Sequence, residues 1–207
     1  MRLDTPQAMD RESDRFQFVG GHLALDFVNT VGFRADAARK TDRLQRAEDV
    51  YRWARQAGLP DLPALGAGTR LSAAALRRIR AVRELLFGVF HALAHGQPIP
   101  TEALGQIGNA LHECVARKRL AVDGADVRWV WRANARATDY LLAPVLGASV
   151  DLLTSPSRGL VRQCADAHCG WLFLDRSNAR TRRWCSMADC GNRNKVRNFY
   201  RRGADHA

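Results

Sequence analysis

Four cysteines carry the most specific chemistry in this chain. Cys164, Cys169, Cys185 and Cys190 fall within 27 residues as C-x4-C, fifteen residues, then C-x4-C. Thiolates are soft ligands, and a structural zinc ion takes four of them at tetrahedral corners, usually from two closely spaced pairs. A middle segment of fifteen residues is long enough for a hairpin that brings the pairs together. Four protein ligands would close the coordination shell, which points to one structural Zn2+ rather than a catalytic ion. The competing readings are four reduced core cysteines or two disulfides. Nothing in the sequence suggests export, which weighs against the disulfides. The fifth cysteine, Cys114, stands alone on an apolar helix face and reads as core.

Charge concentrates around these ligands. The chain has 207 residues, 32 basic against 21 acidic, and a formal net charge of +11. Only three of the 32 are lysines, and arginine favours flat, bidentate contacts with phosphate and guanine. Residues 158–202 hold eleven basic side chains against three acidic ones. A helix is predicted from Ser186 to about Gly203. On it Arg193, Arg197 and Arg201 form one stripe, and Val196, Phe199 and Tyr200 lie opposite, where they can pack on the hairpin. This pattern predicts DNA binding, with phosphate contacts from Arg180, Arg182, Arg183 and Arg202 and base reading from Arg197 and Arg201. Arg193 is assigned either to DNA or to the interior of the module. The alternatives are a solvated arginine face, or a protein-interaction or non-specific nucleic-acid module.

The elements that must position these groups read as follows. Helices are predicted over residues 22–31, 43–57 (closed by Gly58 and Pro60), 72–95, 101–116 and 137–153, the last containing Pro144. Residues 120–122 and 127–131 alternate across Asp123-Gly124, a hairpin signal. Residues 154–157 read as a linker. The fold class is α+β, mainly α: a helical N-terminal domain with a small β-hairpin, then a treble-clef-like C-terminal zinc finger. The expected boundaries are a flexible tail at 1–15, a helical domain at 16–157 and the finger at 158–207. Zinc loss is expected to melt only the finger, since metal-binding energy is folding energy for so small a module.

His22, Asp26 and Asn29 are spaced i, i+4, i+7 along one helix edge. With Arg83 of the long helix they could wall a pocket for a small-molecule effector. The alternatives are an ordinary solvent face, or a buried Asp26 paired with an arginine. No nucleophile elbow, phosphate-cradling glycine loop or open metal site occurs, so the chain is expected not to be an enzyme. A small-molecule-binding enzyme built on the helical domain is the competing class. No apolar run reaches 18 residues and the N-terminus has no apolar core, so neither a membrane span nor a secretory signal is predicted, and a cytoplasmic location is expected. A homodimer would suit a palindromic DNA site, but no heptad or symmetric patch is visible.

Two stretches resemble a known family. C-G-W-L-F at 169–173, R-R-W-C-S-M at 182–187 and C-G-N-R at 190–193 resemble the CGNR zinc finger. G-G-H-L-A-L-D-F-V-N-T at 20–30 resembles the opening of the ABATE domain that precedes that finger. The resemblance implies a bacterial stress-responsive transcription regulator, with a helical sensory or dimerising domain and a zinc module. It implies Cys164, Cys169, Cys185 and Cys190 as ligands.

Overall fold

The computed structural model describes residues 15–59 and 71–204, with side chains to Arg201. The tail expected at 1–15, apart from Arg15, lies outside the described residues, as do Pro60 and the side chain of Arg202. The order is α1 (Leu23–Val28), β1 (Val31–Gly32), β2 (Thr41–Asp42), α2 (Ala47–Gln56), α3 (Ala73–Ala94), α4 (Thr101–Val115), β3 (Lys118–Asp123), β4 (Asp126–Trp131), α5 (Ala137–Thr154), β5 (Val161–Gln163), β6 (Leu172–Leu174) and α6 (Asn192–Ala204). Each strand pairs with its sequence neighbour, giving three two-stranded antiparallel ribbons.

The short helix α1 is the centre of the core. Ala24, Leu25, Phe27 and Val28 are fully buried, and α1 packs against α3, α5 and β6. Phe27 meets Trp53 of α2 edge-on, with ring centroids 5.2 Å apart. α3 turns Ile79, Val82, Leu86, Val89 and Phe90 inward at helical spacing, and Ser72 caps it by accepting from the Ala75 N–H at 3.1 Å. α5 tolerates Pro144 within a nearly all-apolar sequence. No helix among the described residues is long and apolar enough to cross a membrane.

Two predicted helices are shorter than their periodicity suggested. The first ends at Val28, because Asn29 turns its amide towards β6 and Val31 pairs with Asp42. The second starts at Ala47, because residues 41–42 form β2 and the Asp49 carboxylate accepts from the Gln45 and Arg46 N–H groups.

The C-terminal module is built into the helical body rather than hung from it. Residues 156–160 form a 3-10 turn, not a free linker, and lead directly into β5. Along β6 alternate side chains enter different cores. Leu172 and Leu174 join Val161 in the main core, while Phe173 packs with the four cysteines, Trp171, Val19 and Trp184.

Candidate metal centre and nucleic-acid surface

The ribbon β5–β6 carries Cys164 just after its first strand and Cys169 just before its second. The Cys164 N–H donates to the Trp171 carbonyl at 2.8 Å and closes the turn. Gly170 sits at φ +71°, and a Cβ there would lie 2.8 Å from the Arg34 Cβ, so both conformation and space call for glycine. A loop at 175–182 then wraps the buried Asp175 carboxylate, which accepts from Ser177 and from the Arg182 N–H. Cys185 precedes, and Cys190 lies within, a wide turn at Met187–Gly191 capped by Ser186, and α6 follows. The hairpin expected inside the fifteen-residue segment is therefore absent from it; the ribbon embraces the first cysteine pair instead.

The four Sγ atoms lie within 4.8 Å of one another, are buried, and form no disulfide. Cys169 and Cys185 are 3.7 Å apart, and Cys185 and Cys190 are 3.5 Å apart. A tetrahedron with Zn–S bonds of about 2.3 Å has edges of about 3.8 Å. The donor set and its spacing fit one zinc ion, held as a closed structural site. Cys114 is not part of it: it lies against Asp139, and burial and that carboxylate push its thiol up to about 12.

Groups around the sulfurs are partnered in turn. Arg193 donates from Nη2 to the Cys190 Sγ at 2.9 Å and from Nε to the Asp166 carboxylate at 3.0 Å. Asp166, 2 % exposed, also accepts from the His168 N–H, and Arg197 lies 3.6 Å away. The start of the arginine stripe thus faces the module's own acid. Arg182 is likewise internal: Nε donates to the Trp184 carbonyl, Nη2 to the Val19 and Cys185 carbonyls, and the guanidinium covers the Phe173 ring. These positions correct the expectation that Arg182 and Arg193 face DNA: their donors are already taken by buried acceptors.

Arg180, Arg183 and Arg201 are exposed and make no ion pair among the described residues, and neither does Lys195, which the sequence reading passed over. Val196, Phe199 and Tyr200 were expected to pack on the hairpin. They are 55, 75 and 71 % exposed, because the other face of α6 is the one that meets the zinc core.

The polar edge of α1 does not assemble the expected effector pocket. Asp26 accepts from the Gly20 N–H at 2.7 Å, and His22 caps α1. Asn29 is bonded through both amide atoms to Leu172 of β6. Arg83 makes a two-pronged pair with Asp42, both bonds at 2.7 Å. All four residues hold loops together. Sequence spacing could not reveal this, since the partners lie up to 143 residues away. Trp171 adds another stitch, donating from Nε1 to the Val31 carbonyl at 2.7 Å. Between the knuckle and the helical body lies an open cleft of about 390 Å³, lined among others by Phe33, Thr41, Trp171, Cys185 and Arg193.

Residues 21–156 match the family model ABATE, described as "putative stress-induced transcription regulator", and residues 161–203 match the CGNR zinc finger model. Both are the families that the sequence motifs resemble. A comparison with curated proteins finds no match.

Proposed function

Because the chain belongs to the ABATE family and ends in a CGNR zinc finger, we propose that it is a zinc-dependent, DNA-binding transcription regulator and not an enzyme. Zinc fixes the finger, and the finger offers exposed cations to duplex phosphates and base edges. The observation that carries the reading is the set Arg180, Arg183, Lys195 and Arg201, exposed around a metal-stapled helix with no acidic partner among the described residues. Arg201, at the outer end of the stripe, is the best base-reading candidate, and Arg180 and Arg183 suit phosphates. The helical domain is the sensor. An effector bound in the cleft between Phe33 and Cys185 would touch both parts of the molecule at once.

A second reading has its own support. Exposed Phe199 and Tyr200 beside cations can stack on unpaired bases, a sequence-tolerant mode. One experiment separates the two. The zinc-loaded protein is presented with a random duplex pool and with single strands at two salt concentrations. Enrichment of one duplex motif that survives the higher salt supports the regulator. Binding that ignores sequence and collapses with salt is counterion release, and defeats the sequence-specific reading.

A further inference from the structure

The ribbon β3–β4 stands off the helical body. At its base the Arg132 N–H donates to the Arg117 carbonyl at 2.8 Å, Trp131 rests on Tyr140 with centroids 4.4 Å apart, and Lys118 lies over Trp131. Register pairs Leu120 with Trp129 and Val122 with Val127. Strand alternation puts all four on one face. They are 58, 55, 78 and 66 % exposed. A two-stranded ribbon is marginal in water unless one face is covered, and an apolar face of this kind marks an interface.

We propose that this face joins two copies of the chain about a two-fold axis, ribbon against ribbon and tip to base. The ribbon is complementary to itself in that sense. The bulky pair Leu120–Trp129 lies towards the base and the smaller pair Val122–Val127 towards the tip. Turning one ribbon end for end sets large against small. Charge runs the same way: Asp123 and Asp126 flank the turn, while Arg117, Lys118 and Arg132 surround the base. Asp123 pairs with Arg128 of its own ribbon at 2.7 Å, so the acidic character of the tip rests on Asp126. A two-fold copy meets both gradients with the same patch, which is what an isologous interface requires. Four side chains cover less than the roughly 800 Å² per partner of a standard interface, so a reversible dimer in the micromolar range is expected. The proposal stands whether or not the finger binds DNA.

Sedimentation equilibrium of the full zinc-loaded chain, from submicromolar to several hundred micromolar, tests it. The mass is expected to climb from 23.1 kDa towards twice that value. Val122→Asp on β3 and Trp129→Asn on β4 alter exposed positions and are expected to weaken the dimer by about tenfold or more. Arg119→Ala, on the opposite face, should leave it unchanged. Asp126→Lys should weaken it, and adding Lys118→Glu should restore it. A monomer at every concentration, or a dimer indifferent to both apolar-face variants, overturns the interface. Failure of the paired charge swap to restore association overturns the tip-to-base arrangement.

Discussion

Asn29 and Leu172 lie 143 residues apart, yet the Asn29 amide treats Leu172 as a neighbouring strand would. Its Nδ2 donates to the Leu172 carbonyl at 2.8 Å and its Oδ1 accepts the Leu172 N–H at 2.9 Å. The helical domain thereby extends the ribbon of the zinc module by one side chain. Asn29→Ala would leave both backbone groups of Leu172 buried without partners, at about 1–3 kcal/mol each. A loss of about 2–5 kcal/mol in urea unfolding is expected, and Asn29→Asp should do no better, since its second oxygen would face a carbonyl. A loss below about 1 kcal/mol would show that water or repacking takes over the role of the amide.

Chelation follows from the same docking. Leu172, Leu174 and Val161 belong to the main core, and Trp171, Arg182 and Leu174 bond to Val31, Val19 and Gly20 of the helical domain. Removing zinc should therefore loosen α1 as well as the finger, in contrast to the independent melting that the sequence suggested. Hydrogen exchange resolved by segment checks this. Amides at 24–28 should lose protection together with those at 172–174. Protection of α1 that survives verified metal loss would restore the picture of two independent parts.

The metal ligands were legible because their chemistry is local: two cysteine pairs at short spacing need no knowledge of the rest of the chain. The long helices α3, α4 and α5 were legible because their apolar period persists over four or more turns. What stayed hidden was long-range. Asn29 and Arg83 have the composition of a polar wall, and only tertiary contacts reveal them as stitches. In α6 an apolar stripe at Val196, Phe199 and Tyr200 has the helical period of a core face. The opposite face is the buried one, because Arg193 must reach Cys190 and Asp166.

Arg193 and Arg201 lie two helical turns apart and should separate metal binding from nucleic-acid binding. Arg193 touches a ligand sulfur and a buried carboxylate. Groups in that relation to a metal site usually alter its affinity by about 10–100-fold. Arg193→Ala is therefore expected to speed zinc transfer to a colorimetric chelator, with Arg193→Lys recovering only part of the loss. Arg201→Ala should leave zinc retention intact, weaken nucleic-acid binding and lower the salt slope by about one if it meets a phosphate. Equal zinc retention in wild type and Arg193→Ala would return Arg193 to the list of DNA contacts.

Asp26 should give the fold a pH dependence of unusual sign. Burial pushes its carboxyl up from 3.8 to about 6, against the opposing effect of the Gly20 N–H. The folded chain then keeps a proton that the unfolded chain releases. The stabilisation is present in full below the unfolded value and is lost as pH rises through the folded one. Between about pH 4.5 and about pH 7.5 the wild type should forfeit about 2 kcal/mol through this group. Asp26→Asn keeps an oxygen for Gly20 and has no proton to lose. Zinc thiolates titrate in both proteins, so their contribution cancels in the difference. Urea unfolding at the two pH values should show the variant gaining on the wild type by about that amount. A difference that stays flat across the range would mean that Asp26 is ionised in the folded chain throughout, with the Gly20 N–H outweighing burial.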